Sequence, residues 1–571
     1  MKLKRTYILL FCFIIFQNTH SQNLLNIPPA LSGTNFSLAI QSGTQTFYTG
    51  YNTPTYGING TWMAPTLIWN KGDSLNINVT NNLNTSTTIH WHGLHVAPQY
   101  DGGPFQLINI GSTWNPTFKV RNDAGTFWYH PHGVGKTDLH VSKGIAGMII
   151  VRDPIEAALN LPRTYGVDDI PVIVQSKAFD VLKQIAIATE MDTALFVNGT
   201  LNPYTTLPAQ VVRMRLLNGS SMRTYLLGFS GNLSFHLIAT DGGLLDSSLT
   251  LTKIRLSPGE RAEVLLNLSG MQTQTLSLRN FGSQLPNGIY GAASVGIGTA
   301  TITGYNQNPL NGADYDIMKI TVSAPTATPV TTIASTLGTL SPWPTTTVTV
   351  NRRLEFNTLN AGDSTQMAEG SFTINGKQYV MDTINITTQL NNIEIWKLVN
   401  KTLIAHPFHI HDEQFYIVDI NGSPPPAFEH GKKDVVLVMP GDSLRFITKF
   451  EDFSSNTLPY MYHCHLLHHE DDGMMGQFIV GISTGIKEFS LNDKAIILYP
   501  NPNNGSFKLL VDTEISDGEI IMYNSLGQKI HEQKISQGEN NIITNGIAKG
   551  LLHYIILQNK GQIGNGKLVV E

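Results

Sequence analysis

Apolar and polar side chains alternate through much of this chain in short bursts separated by turn residues, the period of β-strands rather than of helices. Two of the clearest bursts are Val212-Arg213-Met214-Arg215-Leu216-Leu217-Asn218 and Ile393-Glu394-Ile395-Trp396-Lys397-Leu398-Val399-Asn400, and a third strand-like segment ends at Asn81. Each follows an Asn-Gly pair, Asn59-Gly60, Asn198-Gly199 or Asn375-Gly376, the dipeptide that marks a tight turn. Recurrence at domain scale predicts an all-β protein with three copies of one β-sandwich, over residues 23–160, 161–310 and 351–483. Residues 311–350, rich in Thr, Ser and Pro, read as the linker into the third copy.

The two ends break this pattern. Residues 1–22 read as a secretory signal peptide: a basic start, the apolar stretch Tyr7 to Phe16, then a polar run with a cut near Ser21. The apolar stretch is too short to anchor in a bilayer, and no other run is long enough to span one. At the other end, from about residue 490, the run Tyr499-Pro500-Asn501-Pro502-Asn503-Asn504-Gly505 and a series of short alternating strands predict a further small β module.

Composition agrees with an exported all-β protein. The chain has 571 residues, of which only 14% are charged, and its length fits three or four domains. Its formal net charge is −5, and loss of Lys2, Lys4 and Arg5 with the leader makes the mature chain more acidic, so nucleic-acid binding is not suggested. Cys12 lies inside the leader, without the small residues before it that a lipoprotein site would have. That leaves Cys464 with no disulfide partner, which suits a metal ligand in an oxidising compartment.

Cys464 sits in the run His463-Cys464-His465-Leu466-Leu467-His468-His469-Glu470, with Met474 ten residues on. Three other histidine clusters are present: His90-Trp91-His92-Gly93, Trp128-Tyr129-His130-Pro131-His132 and His406-Pro407-Phe408-His409-Ile410-His411. A pair separated by one residue, placed on a strand, points both imidazoles to one face. His406 differs in parity from His409 and His411, and Cys464 from His463 and His465. Two strands would thus offer one ligand to one side and two to the other, giving two metal sites back to back, joined through Cys464. A single His-x-His could be a surface pair or a zinc site, but zinc would more often bring several cysteines at short spacing, whereas histidine with soft sulfur favours copper. His95, His140, His236, His430, His468, His531 and His553 read as ordinary structural or surface histidines.

The four clusters, in this order, resemble those of the multicopper oxidases, over roughly residues 30 to 483, and most closely the branch of bacterial copper-efflux oxidases and spore-coat laccases. The resemblance implies three cupredoxin-like Greek-key β-sandwich domains plus the small C-terminal β-sandwich. It implies four coppers: a type-1 site held by His406, Cys464, His469 and Met474, a type-2 copper held by His90 and His409, and a type-3 pair held by His92, His130, His132, His411, His463 and His465. The trinuclear cluster would lie between domains one and three, with the second as a spacer. Electrons taken singly from a donor would pass through Cys464 to dioxygen, which is reduced to two waters. Asp101 and Glu470 match acidic positions used for proton relay near the cluster, where carboxylates can act as general acids and bases; read alone, they are a turn-capping Asp and a solvated Glu.

The donor is less sharply specified. Copper-efflux oxidases carry methionine-rich and acidic residues that bind cuprous ion, whereas here the stretch from Phe356 to Phe372 holds only Met367, and Thr402 and Ile404 stand just before the third cluster. A laccase-like oxidase of phenols, aromatic amines or similar small-molecule donors is therefore expected, with a cuprous-ion oxidase for copper tolerance as the alternative. From a different class, a non-catalytic copper-binding or structural cupredoxin protein remains open, although such proteins usually lose ligands. Copper nitrite reductases resemble these chains but lack the flanked cysteine. Residues 490–571 resemble the C-terminal sorting domain of type IX secretion cargo, against a carbohydrate-binding or structural β module. That resemblance implies partnership with the type IX machinery and a secreted or cell-surface protein exported through the periplasm.

Overall fold

The computed structural model describes residues 22–187, 189–359, 370–481, 496–511, 514–544, 549–559 and 561–570. The proposed leader up to Ser21, with Cys12, and Met367 lie outside the described residues. The chain forms two compact units that divide after Gly481. The larger is built almost wholly of strands in three pairs of sheets, each pair around its own apolar core, which bears out the all-β sandwich architecture.

In the first sandwich, one sheet runs Ala30–Ser32, Thr66–Asn70, Gly147–Arg152, Gly125–His130, His90–His92. It packs on a sheet built around Asn35–Gln45 and Ser74–Asn81, with Trp69, Leu38 and Val79 between them. The third sandwich pairs a sheet centred on Ile393–Asn400 with one that runs Ile386–Gln389, Met475–Gly481, Tyr460–Cys464, His406–Ile410, Val435–Val438. Both histidine-bearing sheets are therefore antiparallel at the ligand strands. His90 stands opposite His130, Phe408 opposite Cys464, and His409 opposite His463.

The three sandwiches repeat one hydrogen-bonding device. Asn59, Asn198 and Asn375 all adopt left-handed backbone, at φ 55°, 50° and 54°, which Asn tolerates better than most residues. In each, the side-chain oxygen accepts from a strand N–H, of Ala39 (2.7 Å), Ile173 (2.8 Å) and Glu355 (2.8 Å). The asparagines that close the following strands match as closely. Asn81 Nδ2 donates to Thr85 O and Ile108 O, Asn218 Nδ2 to Arg223 O and Leu256 O, and Asn400 Nδ2 to Ile404 O and Val438 O, all between 2.8 and 3.0 Å. Their oxygens accept from the N–H two residues on, at Leu83, Ser220 and Thr402. Each amide satisfies backbone groups that the end of the strand would leave buried and unpaired.

Two boundaries shift. Asp314–Ser323, assigned to the linker on its neighbours' Thr and Pro content, is a strand of the middle sandwich, parallel to Pro203–Pro208 and antiparallel to Thr275–Phe281. Its alternating Met318, Ile320 and Val322 are buried in that core, and the irregular stretch begins only after it. Asn23–Leu24 also joins the middle sandwich, pairing with Pro203 and Tyr204 instead of with the first.

Val211–Asn218 is buried on both faces, unlike the half-buried strand its alternation suggests, because its polar side presses against the first sandwich. Arg215 donates to Asp169 (2.7 Å), to Glu263 (2.7 Å) and to Thr126 of the first sandwich (3.0 Å), while Arg213 bonds Glu156 (2.6 Å) and Glu263. Burial pushes Asp169 up, but Arg215, Arg213 and Arg152 outweigh it and bring the carboxyl down to about 2.

The smaller unit is a separate β-sandwich. Ile496–Tyr499, Ser506–Val511 and Gly538–Ile543 form one sheet, and Lys529–Ile535, Gly518–Tyr523, Gly550–Gln558 and Gly561–Val570 the other, over a core that includes Leu509, Ile520 and Leu568.

Candidate metal centre

The structure brings the proposed ligands into tight, buried groups. His406, Cys464 and His469 form one, with the Cys464 sulfur 3.5 Å from His406 Nδ1 and 3.7 Å from His469 Nδ1. Met474 is fully buried and joined to this group through its backbone: Cys464 N–H donates to Met474 O (3.0 Å), and Met474 N–H to His469 O (2.9 Å). His406 Nε2 lies 2.8 Å from Thr402 Oγ1, whose own proton has acceptors at Asn400 Oδ1 and Ile404 O. The imidazole N–H is thereby directed to Thr402, leaving the Nδ1 lone pair facing the sulfur. Burial lowers His406 to about 3, so the ring is neutral, and pushes the Cys464 thiol up. A cation placed among these atoms would reverse that preference and deprotonate the sulfur outright.

On the other side of the same two strands lie three further groups: His90, His92 and His409; His92, His130 and His465; and His132, His411 and His463. Their facing nitrogens stand at 3.4 Å (His92 Nδ1 to His130 Nε2), 3.3 Å (His92 Nδ1 to His465 Nε2), 3.1 Å (His132 Nε2 to His463 Nε2) and 3.3 Å (His411 Nε2 to His463 Nε2). Lone pairs converging at such distances, with bonds to metal of about 2 Å, match a shared ion better than a packed core. The parity inferred from the sequence is the observed one: Phe408 and Cys464 face one way, while His409 and His463 face the other.

On four of these rings the other nitrogen is satisfied in a way that fixes the tautomer. His90 Nδ1 is 2.9 Å from Asp101 O, His409 Nδ1 2.8 Å from Asp434 O, His130 Nδ1 2.8 Å from Pro131 O and His463 Nδ1 3.0 Å from Cys464 O. His90 Nε2 and His409 Nε2 are then left buried with no partner at all. An orphaned buried imidazole nitrogen is costly unless something binds it, so these two atoms fit a bound metal. Burial, reinforced by neighbouring imidazoles, holds His92, His130, His132, His409, His411 and His465 well below the usual histidine range, and burial brings His463 to about 3. Neutral imidazole is the form that ligates.

Both proposed carboxylates are buried beside these groups, contrary to the solvated reading of Glu470. Asp101 Oδ2 accepts from His411 Nδ1 at 2.8 Å, and its Oδ1 has no hydrogen-bond partner. Glu470 accepts from Thr137 Oγ1 (2.7 Å) and lies 3.4 Å from His132 Nδ1 and 3.3 Å from His463 Nδ1. Burial, with Asp471 alongside, raises its carboxyl well above the usual range.

The remaining histidines stay outside these groups. His468 is about 40% exposed beside Asp472, and His140 bonds Thr87 Oγ1 at 3.0 Å. His95 is more constrained than a surface histidine. Its own burial is outweighed by Asp412, 2.9 Å away, so its pKa rises to about 10.

Sequence reasoning missed two residues. Asp434 supplies its backbone oxygen to His409 and its Oδ1 to His92 Nε2, at 3.1 Å. Arg261, from the middle sandwich, grips that carboxylate with both Nη atoms, at 2.5 and 2.6 Å. The middle domain is thus more than a spacer. An acid directly before the buried run Val435–Val438 was the available signal for Asp434; nothing in the sequence pairs it with Arg261.

Residues 39–156 and 347–483 match the multicopper oxidase family, and residues 497–571 match the secretion system C-terminal sorting domain. The chain is 35% identical over 457 residues to the multicopper oxidase mco of Staphylococcus haemolyticus, covering 78% of this chain and 88% of that protein. It is 29% identical to the cell division protein FtsP of Dickeya dadantii, covering 81% and 94%. Among solved structures it resembles a bacterial laccase-like multi-copper oxidase, CueO of Ochrobactrum sp., described as having oxidase activity towards lignin model compounds and lignosulfonate. That likeness has a TM-score of 0.70 and 31% identity, and covers 80% of this chain and all of the other.

Proposed function

The chain belongs to the multicopper oxidases, and from that premise we propose that it is laccase-like, coupling four one-electron oxidations of phenolic, aromatic or similar donors to reduction of dioxygen to two waters. The observation that carries this reading is the position of Cys464 between His463 and His465, which joins the sulfur-bearing group to two of the three imidazole groups through a few covalent bonds. His406, Cys464, His469 and Met474 would hold the type-1 copper, His90 and His409 the type-2 copper, and His92, His130, His132, His411, His463 and His465 the type-3 pair. Copper bound there would supply one-electron transfer on one side of the strands and dioxygen reduction on the other.

The protein's own groups support this chemistry. With copper bound, the Cys464 thiolate would couple strongly to it, and the His463 Nδ1 to Cys464 O bond would offer a second path between the two sides. Glu470, buried within reach of His132 and His463, and Asp101, whose Oδ2 holds the N–H of His411, are the carboxylates placed to pass protons there. Thr402, a hydroxyl bonded to His406 where a cuprous-ion oxidase would place an acid, argues for organic donors. The C-terminal sandwich fits type IX export to the surface or the medium.

The test is to load the purified chain with copper, record its visible spectrum, and follow oxygen uptake with a phenol and, separately, with Cu(I). A blue protein that consumes oxygen with the phenol supports the laccase-like reading. Uptake with Cu(I) alone makes it a cuprous-ion oxidase. Bound copper with neither colour nor uptake makes it a non-catalytic copper protein.

A further inference from the structure

We infer that Arg261 is a positioning residue through which the middle sandwich, which carries no proposed ligand, sets the imidazoles of His92 and His409; this rests on the copper reading of those two rings. Asp434 links the arginine to both rings. Its Oδ1 receives Nε2–H of His92, which forces the Nδ1 lone pair of that ring toward His130 Nε2 and His465 Nε2. The opposite tautomer would present an N–H to both of those nitrogens. The backbone oxygen of the same residue holds His409, and the two rings stack with centroids 3.8 Å apart and planes 8° apart. A shift of Asp434 would therefore move both rings together.

What keeps Asp434 in place comes from another domain. The Arg261 guanidinium meets its carboxylate fork to fork, the bidentate geometry that a lysine cannot reproduce. Its other hydrogen bonds anchor the fork: Nε to Thr126 O of the first sandwich (3.0 Å), Nη2 to Asp241 O (2.9 Å) and Nη1 to Gly259 O (3.2 Å). Three domains meet on one side chain. The fit around it is close. Gly93, directly after His92, has φ +82°, and a Cβ there would lie 2.4 Å from Asp434 Oδ2 and 2.7 Å from Arg261 Nη2. Gly259, in the turn before Arg261, has φ +87°, and a Cβ on it would come within 3.0 Å of the His465 ring. The same turn of the middle sandwich thus backs a third imidazole. Arg261 touches none of the rings by hydrogen bond, and its charge is met by Asp434, so its part is to orient rather than to react.

The test compares Arg261→Met and Arg261→Lys with Arg213→Met, an equally buried arginine of the same sandwich that bonds Glu156 and Glu263 and makes no hydrogen bond to Asp434 or to any imidazole. Each full chain is loaded with copper, and four quantities are measured: copper per chain, the blue band, the EPR signal of type-2 copper, and the rate at which oxygen restores the blue band after anaerobic reduction. Arg261→Met is expected to keep the blue band and its reduction by donor, while type-2 copper affinity or reoxidation falls about 10- to 100-fold, the usual effect of losing a partner behind a metal ligand. Arg261→Lys should fall between, and Arg213→Met should match the wild type in all four. Wild-type copper content and reoxidation in Arg261→Met would overturn the inference. So would the same selective loss in Arg213→Met, or loss of the blue band in step with the rest. A wild-type chain without any of these copper signals would instead overturn the reading on which the inference rests.

Discussion

Replacing Thr402 with valine should raise the reduction potential of the proposed type-1 copper while leaving its blue band in place. Thr402 Oγ1 is the 2.8 Å partner of His406 Nε2 in a fully buried setting, and the change keeps the shape of the side chain but removes the acceptor. A ring that donates a hydrogen bond on one nitrogen is a better electron donor on the other, which favours the cupric over the cuprous state. A buried neutral hydrogen bond contributes about 0.5–1.5 kcal/mol net. If the acceptor's benefit falls on the oxidised state, that range corresponds to a rise of about 20–65 mV, at roughly 59 mV and 1.36 kcal/mol per tenfold change. The backbone should hold, because Thr402 N–H still reaches Asn400 Oδ1 at 2.9 Å. Spectroelectrochemical titration of the blue band in wild type and Thr402→Val reads the shift directly. An unchanged or lower potential would refute the reasoning, since it would mean that the hydroxyl does not tune the ring.

Three other outcomes are expected. Cys464→Ser should abolish the blue band and donor oxidation together while circular dichroism stays that of a β protein; oxidase activity without the band would sink the proposed mechanism. Asp169→Asn should destabilise the chain by about 2 kcal/mol at neutral pH. Since the folded pKa of Asp169 is depressed from 3.8 to about 2, its contribution is complete above pH 4 and is lost as the pH falls through about 2. Urea midpoints of the two proteins should therefore converge in acid, and a gap independent of pH would count against the buried ion pairs as its source. Truncation after Gly481, at the division between the two compact units, should leave copper loading and oxygen uptake intact but keep the protein from the cell surface or medium, as fractionation of cells would reveal.

The sequence disclosed what depends on order along the chain. The strand period placed His409 and Cys464 on opposite faces, and the asparagine turns marked three related sandwiches, because both signals are local and repeat. It did not disclose Asp434 and Arg261, which are separated by 173 residues and are paired only when the domains pack. Composition misled at Asp314–Ser323, where the Thr- and Pro-rich stretch that follows masked an alternation already present in Met318, Ile320 and Val322. Glu470 was marked only by its match to a family position, since read alone it is a solvated Glu, and it is the fold that buries it against Thr137.

Because a β-strand reverses its faces with every residue, the pairing of Tyr460–Cys464 with His406–Ile410 admits no partial success. A slip of one position would turn the sulfur toward the imidazole groups and both flanking histidines away from them, spoiling the proposed type-1 and type-3 positions at once. In a preparation saturated with copper, the blue band expected of the proposed type-1 position would count correctly registered molecules, and its intensity per chain would gauge folding yield before a single turnover is measured.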